Sequence, residues 1–490
     1  MIKKVLYYVP SMVVPLALNI VILFFCGRWL CPAEYGLMSI YTTTITTLYS
    51  LGMSFMQNSA LRFYTDPRCV DKAVYFTTFV ISNLVLATLT FLLVVASTFF
   101  IPNVNVWIIS LSVLANALYL FCVNIDRLED RHIAYTSARC LASVLNLVGF
   151  VVLAKVFNYV NYSAPIISMY CAYMLIALVK LFQRRRGWQV KKYSPDLFKD
   201  SLKFGAPLIG VSVIGSLIAH SDQFMILYFL DKEQVGLYAL GFKIADYSVS
   251  RFTTLLLVVA TPAIIRLYDQ GKIHDSEKMI RGTVDAIAWL WFALASFCFM
   301  YCKEFIAMVF PKYEGAETIM QVVIFAALFH CASQLYCKPF ELAKRTTEQM
   351  TCSIIAGVIS IGYNWIFIPI HGTIAAAVSS VLAYVFLDAA LLIRGSKYMN
   401  VWPTFLFTLK MFFTAAVTCG VAFVLKRTTG CATGAIFLTH VIICGVVYIG
   451  LSYLTGQFKG LFEFKLGKEN VVKDEKDSGA LEKEAETVKE

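Results

Sequence analysis

Three charges sit where a membrane-spanning helix ought to be apolar. The stretch Gly236–Pro262 reads GLYALGFKIADYSVSRFTTLLLVVATP, long enough at 1.5 Å per residue to cross a hydrocarbon core of about 30 Å. Within it lie Lys243, Asp246 and Arg251. At 100° per residue, Lys243, Asp246, Tyr247, Ser250, Arg251 and Thr254 fall within about 140° of one another. Ala245, Val249, Phe252, Leu255, Leu256 and Val259 take the opposite side. A charge at bilayer depth costs at least ~2.5–3.5 kcal/mol, so these groups must face protein or water. Two chemistries fit. An internal salt bridge would only lock helices together, whereas a wet, charged wall would handle a charged cargo. Three charges and three hydroxyls on one face favour the wall.

The surrounding chain is that of a polytopic membrane protein. Hydrophobic residues make up 59% of it and charged residues 15%, with a mean hydropathy of +0.70, far from soluble norms. The net charge of +11 does not point to nucleic acid, because the basic residues lie in short loops between apolar runs. Fourteen cysteines are scattered without a CxxC pair, which indicates neither a zinc site nor a disulfide framework. The opening MIKK and its apolar run lack a small-residue cleavage site and read as the first span.

About fourteen spans are expected on length and apolarity, from Val5–Cys26 to Ala432–Leu454. Loop charge sets their orientation. With the N-terminus cytoplasmic, Arg62, Arg68, Arg127, Arg131 and Arg139 fall inside, as does the dense run RRRGWQVKKYSPDLFKDSLK. The outer loops keep only a scatter of Lys and Arg, so both termini are expected in the cytoplasm. The tail KLGKENVVKDEKDSGALEKEAETVKE is charged and lacks an apolar face, the composition of a disordered or loosely helical segment.

The chain also repeats itself. LCPAEYGL at Leu30–Leu37 lines up with LDKEQVGL at Leu230–Leu237, and Arg62-Phe-Tyr64 lines up with Arg266-Leu-Tyr268 after a short insertion. An even number of spans separates the copies, so they run parallel, related by an axis along the membrane normal. The expected architecture is an all-α polytopic membrane protein. It has two parallel six-helix lobes around a central cavity, 1–182 and 204–394, joined by a basic linker at 183–203. Two further helices follow at 395–456, then a cytoplasmic tail at 457–490. The second span, YTTTITTLYSLGMSFMQNS, aligns with the charged eighth and places Thr43, Thr46, Ser50 and Asn58 on one face. Threonine stripes also serve as packing seams, but matching stripes in both copies favour two walls of one cavity.

At this point the chain resembles a flippase of the Wzx type, a polysaccharide-biosynthesis exporter of the multidrug/oligosaccharidyl-lipid/polysaccharide superfamily. The resemblance is carried by LCPAEYGLMSIY, SLGMSFMQNSALRFY and SDQFMILYFLDKEQVGLYALGFKI. A further stretch, KPFELAKRTTEQMTCSIIAGVISIGYNWIFIPIHGTIAAAVSSVLAYV, holds Lys344, Asn364, Pro369, Gly372 and Ala375 in the family's pattern. The resemblance implies alternating access in the bacterial cytoplasmic membrane. The implied cargo is an oligosaccharide on undecaprenyl pyrophosphate, with membrane lipids, an H+ or Na+ counter-ion and other polysaccharide assembly proteins as further partners. Arg251 and Lys243 suit the pyrophosphate, since a guanidinium binds phosphate bidentately. Asp246, three residues after Lys243, can pair with it when no cargo is bound. Asp222 matches an acidic position common in the family, and either binds a coupling cation or bonds a neighbouring helix. Asp388 is a second such candidate, and Arg62 and Arg266 suit lipid headgroups.

Other readings fit less well. No phosphate-binding GxxxxGK[ST] loop is present, no metal-ligand spacing joins the dispersed histidines, and no cofactor is implied. A membrane polymerase or glycosyltransferase would be expected to carry a large outer loop with acidic catalytic residues. A MATE-like cation-coupled drug antiporter of the same superfamily would favour an acidic cavity, and the residues here lean basic.

Overall fold

The computed structural model describes residues 10–54, 56, 59, 72–97, 105–184, 193–430 and 434–457, without the side chains of 72, 97, 204–219 and 259. Among the described residues there is no strand, and fourteen helices of 20 residues or more follow one another. They are α1 (Pro10–Trp29), α2 (Pro32–Gly52), α3 (Lys72–Ser97), α4 (Val106–Leu128), α5 (His132–Lys155), α6 (Ser163–Gln183) and α7 (Pro195–Phe229). Next come α8 (Lys232–Asp269), α9 (Ile273–Val309), α10 (Ala316–Tyr336) and the short α11 (Lys338–Leu342). The series closes with α12 (Thr346–His371), α13 (Thr373–Gly395), α14 (Phe405–Thr429) and α15 (Ala435–Leu454).

Eleven of these are long and apolar enough to cross a membrane. The count is twelve when α8, bent by 41° between Lys232–Val258 and Ala260–Asp269, is taken as one span. Helices α2 and α7 fall outside that count, α2 because hydroxyl residues dilute its apolar character. The expected fourteen is therefore a count of long helices rather than of apolar spans.

Several helices begin earlier than the apolar runs suggest, α7 and α5 among them. Helix α7 starts at Pro195 instead of Phe204 because its start signals lie upstream. The Ser194 side chain accepts from the Leu197 amide at 3.3 Å, Pro195 takes the first position and Asp196 sits in the first turn. Helix α5 likewise starts at His132 instead of Arg139, which places Arg139 within the helix.

The chain divides into two compact units. One comprises Met1–Leu240 and Asn364–Thr373, the other Gly241–Tyr363 and Ile374–Glu490. The division falls inside α8 and α12, and α7 packs against α2 and α3. Residues 185–192 of the expected linker 183–203 and 458–490 of the tail lie outside the described residues.

In the first unit α4 is the central helix, packed against α2, α3, α5 and α6. Phe79 of α3 stacks on Phe121 of α4 with centroids 3.8 Å apart. At the end of α4, Asp126 takes Lys180 at 2.5 Å and Arg184 at 2.7 Å, and Glu129 takes Arg184 at 2.8 Å. These pairs tie α4 to α6 with every charge of the cluster compensated. In the second unit α9 holds α10, α14 and α15. The Trp291 indole donates to the Ile324 carbonyl at 2.6 Å, and the Tyr448 hydroxyl to the Trp289 carbonyl at 2.7 Å. Lys426 of α14 pairs with Glu304 of α9, so the last two helices are fastened to this unit.

The sequence repeat has a physical counterpart. A Cβ on Gly36 would lie 2.0 Å from the Lys232 carbonyl oxygen, and one on Gly236 would lie 1.9 Å from the Pro32 carbonyl oxygen. The contact is reciprocal, each glycine meeting the carbonyl one turn before the other, as in a pseudo-two-fold interface. The first turns of α2 and α8 thus touch backbone to backbone, which only glycine permits. Gly36→Ala and Gly236→Ala should each destabilise the purified protein by about 1–3 kcal/mol or more, seen as a lower melting temperature, because backbone cannot move aside for a methyl group. Gly282→Ala is the control, since nothing lies within 4 Å of its added Cβ. Equal melting of all three variants would show that the glycine contact does not hold the fold.

Candidate functional site

The polar face of α8 lies in the second unit from Gly241 onward. The helix is positioned by its other side. Ala245, Val249 and Thr253 are fully buried at intervals of one turn, and an added Cβ on Gly241 would meet the Ala316 carbonyl of α10 at 2.8 Å. That close packing turns Lys243, Asp246, Tyr247 and Ser250 to a half-buried surface and leaves Arg251 and Thr254 exposed.

Lys243 and Arg251 share one partner, and it is not a carboxylate. The Arg251 guanidinium carbon stands 4.5 Å from the Tyr247 ring centroid, and the Lys243 ammonium 5.9 Å from it. One ring one turn from each cation therefore carries both by cation–π attraction. Among the described residues neither cation is ion-paired. Asp246 instead faces α10, with its Oδ1 3.7 Å from His330 Nδ1. The His330 ring lies 5.0 Å from that of Tyr384 on α13. The pairing of Asp246 with Lys243, expected from their spacing, is replaced by this contact because α10 offers a second ring. The Ser250 and Thr254 hydroxyls donate to the carbonyls of Asp246 and Ser250, at 2.7 and 2.8 Å. Among the described residues the cations on this face thus have no anionic partner.

The corresponding stripe on α2, in the first unit, behaves differently. Thr43 is buried, and its hydroxyl donates to Gln223 Oε1 of α7 at 3.1 Å, as Ser39 does at 3.0 Å. This part of the stripe is a seam between α2 and α7. Thr46 bonds back to the Thr42 carbonyl at 3.0 Å, and the Ser50 carbonyl accepts from Ser54. Both residues are half-buried. Asn58 lies outside the described residues.

The two acidic candidates differ as well. Asp222 is buried on α7, accepting the Tyr238 hydroxyl from α8 and the Gln223 amide at 2.9 Å. Asp388 on α13 is buried, and neither carboxylate oxygen has a partner among the described residues. An uncompensated carboxylate is costly there, so Asp388 calls for a proton or a cation.

Residues 26–316 match the family described as polysaccharide biosynthesis protein. The chain belongs to this family. No curated protein matches it. Among solved structures the fold resembles that of lipid II flippase MurJ in an inward closed conformation, at a TM-score of 0.71 and 14% identity over 93% of this chain and 99% of that one. An inward-facing multidrug resistance MATE family transporter of the MOP superfamily gives 0.61 and 11% identity over 86% and 99%. A MOP superfamily transporter from Pyrococcus furiosus, described as having a binding pocket of reverse polarity, gives 0.54 and 13% identity over 86% and 96%. At these identities the likeness is one of fold. This polysaccharide biosynthesis protein is a multi-pass membrane protein with a MurJ- and MATE-like transporter fold.

Three residues of this family member escape a reading by spacing alone. His330 carries no signal beyond being a titratable residue within an apolar run. Tyr384 lies far along the chain. Gln223 stands beside Asp222 in SDQFM, where a buried amide opposite a threonine stripe was the available clue. The two stripes separate in a stability measurement. Gln223→Ala strips Ser39 and Thr43 of their acceptor and should cost about 1–3 kcal/mol, read as a lower melting temperature. Arg251→Met, at an exposed and unpaired position, should leave melting nearly unchanged. A comparable loss from Arg251→Met would make the guanidinium part of the scaffold.

Proposed function

We propose that the protein flips an undecaprenyl-pyrophosphate-linked oligosaccharide across the bacterial cytoplasmic membrane by alternating access, for surface polysaccharide biosynthesis. The reading rests on one observation. Arg251 and Lys243 stand on the open face of α8 with an aromatic ring between them and no carboxylate bound to either. A pyrophosphate entering a poorly hydrated path needs cations that are not already neutralised. Family membership and the flippase-like fold support it. A cation-coupled drug antiporter would need an acidic face, and Asp246 is engaged by His330. In this reading the chain is a transporter rather than an enzyme, and both termini lie in the cytoplasm on the loop-charge bias. Ser250 on α8, and Thr46 and Ser50 on α2, are further polar candidates for cargo contact, each within its own unit, and Thr43 serves the α2–α7 seam. Asp222 and Asp388 are the groups for an H+ or Na+ counter-ion.

Arg251→Ala should abolish surface polysaccharide while the protein reaches the membrane in normal amount. Arg251→Lys should restore part of it, because an ammonium keeps the charge and loses the planar fork. Normal polysaccharide from well-expressed Arg251→Ala would overturn the cargo role. For the counter-ion, Asp388→Asn should weaken the dependence of transport on the H+ or Na+ gradient. Unchanged gradient dependence at normal activity would leave Asp388 a packing residue.

A further inference from the structure

The first unit contains a cavity of about 290 Å³ bounded by α1, α4, α5 and α6. Its polar lining includes Asn19, Tyr119, Arg127, Tyr135, Arg139 and Asn146, and no carboxylate is among the lining residues. Arg127 is exposed and Arg139 half-buried, and among the described residues neither has an acidic partner. The contrast with their surroundings is sharp. Nearby Asp126 and Glu129 are engaged by Lys180, Arg184 and Arg131, so the carboxylates of this end are directed elsewhere.

The other lining groups orient the site. The Arg139 guanidinium donates to the Tyr135 hydroxyl at 2.9 Å and lies 5.7 Å from that ring's centroid, a neutral support that leaves its charge uncompensated. Asn146 is buried, and its carbonyl accepts from Ser168 at 2.8 Å, so its amide hydrogens have no described acceptor. Tyr119 is buried and braced by stacking on Tyr173 at 4.2 Å. A pocket of two arginines, a free amide donor and phenols, with no acid, is a receptor for an anion. Its volume sits at the low end of ligand cavities, roughly 300–1,000 Å³. It therefore suits a headgroup and excludes a whole oligosaccharide.

We propose that the cavity between α1, α4, α5 and α6 binds the phosphoryl headgroup of a lipid through Arg127 and Arg139. This goes beyond the α8 reading, since it concerns other residues in the other unit. The phosphoryl group has two sources, a resident acidic phospholipid or the polyprenyl pyrophosphate carrier.

Purified full-length protein in a neutral detergent, titrated with phosphatidylglycerol and separately with glycan-free undecaprenyl pyrophosphate, distinguishes them by native mass spectrometry. Arg127→Gln with Arg139→Gln should weaken binding of one probe by at least about tenfold, the scale of a lost charge-assisted contact. Arg131→Gln, removing an exposed charge outside the cavity, should leave it unchanged. Loss confined to phosphatidylglycerol identifies a structural lipid, and loss confined to the pyrophosphate identifies a carrier site. Should the double glutamine variant fail to fold, Arg139→Lys should fold and still bind more weakly than the native protein. Unaltered binding of both probes by a folded variant, or an equal loss from Arg131→Gln, overturns the proposal. The readout is binding alone, so failure of export in the Arg251 variants leaves this result independent.

Discussion

A charge within a helix that crosses a low-dielectric layer must find a partner, and that requirement organises the ion pairs that join helices in this protein. Asp126 draws α6 onto α4 through Lys180 and Arg184. Glu304 fastens α14 to α9 through Lys426. Asp246 turns toward His330 of α10. Each pairing joins two helices that have no strong hydrophobic reason to associate in lipid, where tails are as apolar as side chains. Against that background the exceptions stand out: Lys243 and Arg251 around Tyr247, Arg127 and Arg139 in the first unit, and Asp388 in the second.

These exceptions divide by sign. The unpaired cations lie on surfaces or in a cavity with exposure to solvent or ligand. The carboxylate of Asp388 is buried. Cations rest on aromatic faces at modest energy, since a ring quadrupole supplies part of what water would. A carboxylate has no such alternative, and a proton or a metal cation must complete it.

The duplicated hairpin shows how a repeat becomes an interface. Gly36 and Gly236 occupy the same place in each copy, and their reciprocal contact with Lys232 and Pro32 leaves no room for a side chain. The two helices then diverge in use. Thr43 on α2 is consumed by Gln223, while the aligned part of α8 carries the charges. One repeated pattern thus supplies a packing seam in one copy and an open polar face in the other.

Local periodicity settled much of this in the sequence itself. Helical character, the apolar runs and the shared face of Lys243, Asp246 and Arg251 all depend on residues within a few turns of one another, and a helix has a known period; the duplication is legible because the same local pattern recurs at Leu30–Leu37 and Leu230–Leu237. The start of α7 was legible too, in Ser194, Pro195 and Asp196, once capping is weighed above hydropathy. What joins distant segments was decided only by tertiary packing. Asp246 could have paired with Lys243 at helical spacing, but α10 brings His330 to it, and no pattern along the chain encodes that choice. Arg127 and Arg139 read as ordinary basic residues at the cytoplasmic border until four helices close around them. The number of competing partners grows with every helix that packs nearby, and spacing along one helix carries no information about which neighbour arrives.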